Sequence, residues 1–351
     1  MPEGSEGIAA ARALAPPPAG ALRYAVRLLP LGIPTLFESD APELIASVQA
    51  VYGDPTADAA PAPASGLHGS GAPRVVLLLG TQRAAAPASD THAALRITAD
   101  RELLLLAAPD ALGRAHRSGM TAVARLMPSL LAPHERLRAV LDALVLFLLT
   151  PLDRQPLHAA AIAHGGSGLL LAGHGGAGKS TLAYAAQRAG LDVLTDDAVY
   201  VQLEPDLRVW TLRRPLHLAP EAAQWFPELA DLPTTLRANG KRRIAVMPQT
   251  LAPGQHREPE GAPAAPITVR TWGLCLLERA RGAAPTAMPI DADEAVAHIV
   301  ADLEPGFDVW RDTIGARIAA LARGGAWRLR VGDDPRAAVP VIRALLGRLA
   351  H

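Results

Sequence analysis

The chain has 351 residues, 50% hydrophobic and 19% charged, which excludes wholesale disorder and suits about two domains. Basic and acidic residues balance at 34 each, so no chain-wide field favours nucleic acid or an anionic membrane. The single cysteine, Cys275, excludes an intrachain disulfide and a cysteine-based metal cluster, and it favours a reducing, cytoplasmic compartment.

The sequence shows neither a secretion signal nor a membrane anchor. The first twenty residues lack a basic start followed by an apolar core. The longest apolar stretch, Ala139–Leu149, is broken by Asp142 and is shorter than the ~20 residues of a spanning helix. We therefore expect no membrane partner and no nucleic-acid partner, and the oligomeric state stays open, with a homo-oligomer among the options.

The first 150 residues predict a tail and an N-terminal α+β domain. Residues 1–20 are rich in Ala, Pro and Gly without periodicity, which predicts a flexible tail. The domain covers 21–150 and includes a Pro/Ala/Gly-rich loop over 53–72. Its apolar runs predict strands at Leu22–Leu29, Arg74–Gly80, Ala94–Thr98 and Glu102–Ala107, and helical segments at Ala41–Val51, Gly119–Leu131 and Glu135–Leu149.

Residues 151–351 predict a second domain of α/β type. It opens with two apolar runs, 157–163 and 168–172, joined by a Gly-rich turn that favours a hairpin. A helix is predicted from Ser180, and loops are predicted around Arg237–Arg243 and over 252–266. Further strands are predicted at 191–194, 198–203, 208–212, 269–278 and 326–331, and helices at 292–303, 307–321 and 334–349.

A phosphate-binding motif follows the second strand of that hairpin. Residues 173–180 read Gly-His-Gly-Gly-Ala-Gly-Lys-Ser and fit G-x-x-x-x-G-K-[ST] at every fixed position, and Thr181 follows. In such a loop the backbone amides cradle phosphates, Lys179 reaches the outer phosphates and Ser180 ligates magnesium. The predicted nucleotide-binding residues are Gly173, Gly175, Gly176, Ala177, Gly178, Lys179, Ser180 and Thr181. We expect Lys179 to be an exposed loop cation.

Two adjacent carboxylates, Asp196 and Asp197, end the next apolar run. Fifteen residues separate Ser180 from Asp196, enough for a helix and a strand that returns beside the phosphate loop. Two carboxylates allow one to bind a metal and the other to accept a proton from a hydroxyl. An Asp-Asp turn at a strand end is the alternative.

These motifs resemble the bacterial HPr kinase/phosphorylase core, which shares its nucleotide fold with ATP-dependent phosphoenolpyruvate carboxykinase. The resemblance rests on His158, Gly173–Ser180 and Leu194–Asp197, in that order, and covers about residues 155–205. It implies a P-loop kinase core of that type with a smaller N-terminal α+β domain, and ATP and Mg²⁺ as cofactors. It also implies catalytic roles for the two aspartates and His158. We assign Asp197 and Ser180 to the metal and Asp196 to the base, although which aspartate does which stays open.

Two departures separate the chain from HPr kinases proper. Ser180-Thr181 stands where that family has Ser-Glu, and a Glu-x-Arg-Gly signature is missing from the sequence. The chain looks more like the related serine kinases, which include enzymes of lasso-peptide clusters that phosphorylate a terminal serine. This resemblance implies a peptide or protein acceptor that bears a serine.

Lys241 is one of only two lysines among the 34 basic residues, the other being Lys179. Because a compact ammonium and a planar guanidinium are not interchangeable, we predict that Lys241 closes over the transferred phosphoryl or the acceptor. A solvated loop is the alternative. Other candidates are weaker: His158 could be a core histidine, Arg213-Arg214 could position the acceptor or lie on the surface, and His174 occupies a variable position of the loop.

Three functions fit these motifs. The leading hypothesis is a Mg-ATP-dependent enzyme that transfers the terminal phosphoryl to a serine hydroxyl of a peptide or protein. A regulatory ATPase module would instead need a water-orienting group and moving loops. A small-molecule kinase would share the nucleotide site and differ only in its acceptor.

Overall fold

The computed structural model describes residues 3–18, 20–53, 72–80, 95–131, 134–212, 214–236, 240–248, 269–303 and 308–350. The chain divides into two units between Arg154 and Gln155, whereas the sequence places the boundary between 150 and 151. Both units mix helices with sheets, which confirms the α/β class. The predicted loop at 252–266, and residues 54–71 of the loop at 53–72, lie outside the described residues.

The first unit contains a mixed sheet. Its strands are β1 (Tyr24–Leu28), β2 (Thr35–Ser39), β3 (Arg74–Leu79), β4 (Arg96–Ala99), β5 (Leu103–Ala108), β6 (Ala111–His116) and β7 (Thr121–Leu126). Its helices are α1 (Glu3–Ala13), α2 (Pro42–Tyr52) and α3 (His134–Leu149). The described strands lie in the order β1-β2-β3-β7-β6-β5-β4, and only the β2/β3 and β3/β7 pairs are parallel.

Helices α2 and α3 pack on one face of this sheet. The reason is visible in α3, where Leu137, Leu141, Leu144 and Leu148 recur at a spacing of three or four residues and are fully buried. Helix α1 contacts β5 and β6.

Two predictions for this unit are wrong. The predicted flexible tail contains α1, because its Ala-rich sequence favours a helix and Ala11 and Leu14 are buried. The predicted helical segment Gly119–Leu131 instead contains β7, which pairs with β3 and β6 along its whole length. The residues of β7 have good helix propensity, but long-range strand pairing overrides that preference.

The second unit contains a larger mixed sheet and a small antiparallel one. Its strands are β8 (Gln155–His164), β9 (Ser167–Ala172), β10 (Asp192–Thr195), β11 (Ala198–Gln202), β12 (Arg208–Trp210), β13 (Leu216–Leu218), β14 (Thr234–Leu236), β15 (Arg242–Val246), β16 (Thr271–Arg279), β17 (Thr286–Pro289) and β18 (Ala326–Val331). Its helices are α4 (Lys179–Arg188), α5 (Ala292–Ala301), α6 (Arg311–Ala322) and α7 (Val339–Leu349). The described strands of the larger sheet run β12-β11-β8-β9-β16-β18-β17, with β10 also on β8, and the small sheet runs β13-β15-β14.

The larger sheet lies between two layers of helices. Helices α4 and α7 pack on one face, and α5 and α6 on the other. Strand β9 shows why: Leu169 and Leu171 belong to the first core and Leu170 and Ala172 to the second, so an unbroken apolar run is buried on both sides. Within the described ranges, no helix is long and apolar enough to cross a membrane.

Candidate active site

The P-loop motif connects β9 to α4, in the predicted order of strand, loop and helix. Gly176 and Gly178 have φ angles of 90° and 101°, a region that favours glycine. Gly173 has a φ angle of 156°, and a Cβ there would make a tight contact, 3.3 Å, with the Leu277 carbonyl oxygen of β16, so this position also favours glycine. The glycines of the motif therefore match the backbone that the loop adopts.

The loop ends at the N-terminus of α4, which is suited to binding anions. Amides of a first helical turn lack acceptors within the helix, and the helix dipole adds partial positive charge there. Gly178 is the N-cap residue, and Ser180 and Thr181 stand in the first turn. Phosphate oxygens placed here would meet several N–H donors at once.

Lys179 is buried, with 6% of its surface exposed, and this differs from the exposed cation that the sequence predicts. Its Nζ atom donates hydrogen bonds to the carbonyl oxygens of Gly173, at 2.5 Å, and His174, at 3.4 Å. The side chain thus folds back over the loop. The ammonium lies where it can contact a phosphate held by the same loop.

Asp196 lies directly after β10 and is 4% exposed. Its Oδ2 atom accepts a hydrogen bond from the His217 amide at 2.9 Å. Burial raises the pKa of Asp196, whereas the His217 amide and the nearby Ser180 side chain oppose the shift. Asp196 therefore lies near the last residue of the P-loop motif.

Asp197 has the opposite environment. Its side chain is 76% exposed, and its Oδ1 atom lies 3.6 Å from His158 Nε2. The pairing of β8 with β11 explains the contact, because His158 is the register partner of Ala198, the residue after Asp197. The structure thus brings together His158 and the two aspartates, and it gives the aspartates different surroundings.

A small cavity joins His158 to the phosphate loop. Its volume is about 30 Å³, room for roughly two water molecules. The lining residues come from β8, from the β9–loop junction and from the end of α5; they are Leu157, His158, Ala172, Gly173, His298, Ile299, Asp302 and Leu303. His158 is therefore half-buried beside Gly173 rather than enclosed in the core.

The oxygen donors near the loop fit a magnesium ion. Ser180 offers a hydroxyl and Asp196 a carboxylate, and such hard ligands suit Mg²⁺, which takes its remaining ligands from water and phosphates. Among the described residues, no group of three or more His, Cys, Asp or Glu could hold a metal ion. An ion here would therefore depend on bound phosphate oxygens.

Lys241 lies away from the level of His217 in the small sheet. It is exposed and directly precedes β15, four residues before Ala245, which is the register partner of His217. At a strand rise of about 3.4 Å per residue, this separates the Lys241 and His217 levels by roughly 14 Å. Its predicted neighbours Arg237 and Asn239, and also Arg213, lie outside the described residues.

His217, whose amide donates a hydrogen bond to Asp196, is a site residue that the sequence analysis did not predict. His217 lies in β13, 21 residues beyond Asp196, and a short strand of the small sheet brings it back. A contact of this kind leaves no local pattern, because any residue except proline can supply the amide. His174 is exposed, and its Nδ1 atom lies 2.9 Å from the Gly175 carbonyl oxygen.

Comparisons of the chain with protein-family models and with curated proteins found no match.

Proposed function

We propose that the chain is a Mg-ATP-dependent kinase that transfers the terminal phosphoryl of ATP to a serine hydroxyl of a peptide or protein. One observation carries the proposal: a P-loop motif lies beside two adjacent carboxylates, one buried near Ser180 and one exposed beside His158. The serine acceptor rests on the resemblance of residues 155–205 to the HPr-kinase-related serine kinases.

In this proposal the loop binds the triphosphate. The amides at the start of α4 and the Lys179 ammonium contact phosphate oxygens, and Lys179 exchanges its bonds to Gly173 and His174 for bonds to phosphate. Once Lys179 has made this exchange on binding ATP, the amides and the ammonium face the developing negative charge and lower the barrier of the transfer step.

Ser180 and Asp196 are the residues that would hold magnesium. Ser180 keeps the role predicted from the sequence, whereas Asp196 takes the metal role that the sequence analysis assigned to Asp197. The Ser180 hydroxyl is the P-loop metal ligand, and the Asp196 carboxylate lies near it. When bound, the ion neutralises charge on the phosphates. The His217 amide donates a hydrogen bond to Asp196 Oδ2 and holds the carboxylate in place.

Asp197 is the proposed base. Because its carboxylate is exposed, a serine side chain can approach it, and the carboxylate then takes the hydroxyl proton as the oxygen attacks the phosphoryl. His158 lies 3.6 Å from Asp197 and limits the orientations of the carboxylate. A base that is open to an acceptor favours a transferase over a regulatory module.

The test is incubation of the full chain with γ-labelled ATP, Mg²⁺ and a panel of serine peptides, proteins and small alcohols. We expect label on serine of a peptide or protein, and none with Lys179→Ala. Label only on a small alcohol would identify a small-molecule kinase. ADP formation with no labelled acceptor would favour the regulatory ATPase.

A further inference from the structure

Arg279 is the last residue of β16. This strand runs parallel to β9, and β9 directly precedes the P-loop motif. Leu276 of β16 is the register partner of Ala172, where β9 ends, and β16 continues for three more residues to Arg279. Cys275 and Leu277 both belong to the core that contains α4. Since successive side chains alternate across a strand, Arg279 points to the same face.

The guanidinium of Arg279 lies beside the residue that caps α4. A Cβ atom at Gly178 would be 3.9 Å from Arg279 Nη2 and 4.0 Å from Nε. The neighbouring Glu278 contacts Arg328 and Arg330 instead. Within the described part of the chain, no ion pair links Arg279 to a carboxylate. Arg279 is exposed, and its guanidinium lies near the positive end of a helix, where a bound anion would reduce the repulsion between the two.

Arg279 and the aspartates lie on opposite flanks of the loop. Strand β9 has β8 on one side and β16 on the other. Asp196 follows β10, which pairs with β8, and Ser180 lies near Asp196. Chemistry at the transferred phosphoryl therefore belongs to the β8 flank, whereas Arg279 approaches the loop from the β16 flank.

We propose that Arg279 binds the phosphates that remain on ADP, and that it sets nucleotide affinity more than the rate of transfer. The inference rests on the proposed nucleotide site. The planar guanidinium presents paired N–H donors that match two phosphate oxygens, which the single ammonium of a lysine does not reproduce.

The test measures ADP binding to the full chain by titration calorimetry, with Mg²⁺ and without acceptor. Arg279→Gln should lower the affinity for ADP at least about tenfold, as expected for loss of a charge-assisted hydrogen bond. Arg279→Lys should lower this affinity less. The matched control is Arg281→Gln, an exposed arginine two residues further on, which should bind ADP as the wild type does. With an acceptor, kcat of Arg279→Gln should fall much less than kcat/KM for ATP.

Unchanged ADP affinity in both Arg279 variants would overturn the inference, as would a loss confined to kcat. The outcome separates this inference from the proposed kinase function. If ADP binding depends on Arg279 but no serine acceptor is ever labelled, the inference stands and the kinase function falls. If wild type transfers phosphoryl and Arg279→Gln binds ADP normally, the kinase function stands and the inference falls.

Discussion

The two units are built alike but use buried charge differently. Each packs helices on a mixed sheet, and each buries charged side chains. In the first unit, Glu38 of β2 is 2% exposed and forms an ion pair with Arg74 of the neighbouring strand β3. In the second unit, Lys179 begins α4 and bonds to carbonyl oxygens of the glycine loop, while Asp196 follows β10 and accepts a hydrogen bond from the His217 amide of β13. Buried charge between strands supports the fold of the first unit, whereas the buried charges of the second unit lie next to a glycine loop, where the proposed ligand would bind.

The largest expected effect follows from removal of the loop cation. Lys179→Ala should lower phosphoryl transfer by about 10³-fold, because the charge on the phosphates loses its ammonium donor. The thermal stability of the variant should change little, since the carbonyl oxygens of Gly173 and His174 can bond to water instead. Steady-state transfer rates and thermal melts test both points. Near-normal transfer by a folded variant would remove the P-loop hypothesis.

Substitution of the two aspartates separates their roles. Asp197→Asn should lower transfer by roughly 10²- to 10³-fold at any metal concentration, because a general base is lost. Asp196→Asn should also lower it, but raised Mg²⁺ or Mn²⁺ should restore part of the rate, because a carboxylate of the metal site is lost. Metal titrations of both variants provide the measurement. Rescue of Asp197→Asn alone would restore the assignment made from the sequence.

In the first unit, the loss of a charge should affect stability rather than catalysis. Arg74→Ala leaves Glu38 buried without its ion-pair partner, which should lower the free energy of unfolding by about 2 kcal/mol. This loss is smaller than for a fully buried pair, because Arg74 is 35% exposed. The exposed Arg96→Ala is the matched control. Denaturant unfolding and transfer rates of both variants test the contrast. Loss of transfer in folded Arg74→Ala would contradict the division between the units.

Asp196 should reduce stability at neutral pH. Because burial raises the pKa of Asp196 above 3.8, the folded protein binds this proton more tightly than the unfolded chain does. The contribution of the Asp196 carboxyl to the free energy of unfolding therefore falls as pH rises from about 3.8 through the raised pKa. Without nucleotide, Asp196→Asn should melt at a higher temperature than wild type at pH 7, and the difference should shrink towards pH 4. If Asp196→Asn were less stable than wild type at both pH values, burial of the Asp196 carboxylate would not reduce stability.

The smallest effect concerns Lys241. Because it lies roughly 14 Å along the small sheet from the level of His217, Lys241→Arg should change transfer by less than about twofold. The closure predicted from the sequence would instead bring Lys241 to the transferred phosphoryl or the acceptor. Single-turnover rates at saturating ATP decide between these cases, and a fall of tenfold or more with unchanged ATP affinity would favour closure.

Contiguous motifs were predictable from the sequence, and long-range contacts were not. The hairpin of β8 and β9 and the start of α4 follow from local apolar runs and glycines. The contact of Asp196 with His217 depends on β13, and the approach of Arg279 to Gly178 depends on the register of β16 with β9. Neither contact has a sequence spacing that reveals it.

The two errors in the first unit have different causes. Strand β7 contains good helix formers, but β3 and β6 supply hydrogen bonds on both of its edges. Local propensity is worth less than about 1 kcal/mol per residue, so strand pairing decides in this segment. In α1 the Ala-rich sequence itself favours a helix, and contacts with β5 and β6 add to that preference.

The most direct test of the kinase function is to measure ADP and phosphoserine in one reaction of the full chain with Mg-ATP and a serine acceptor. For wild type, the two products should form in equal amounts, and Asp197→Asn should lose both together. ADP that accumulates without phosphoserine for every acceptor, or wild-type phosphoserine formation by Asp197→Asn, would contradict a serine kinase with Asp197 as its base.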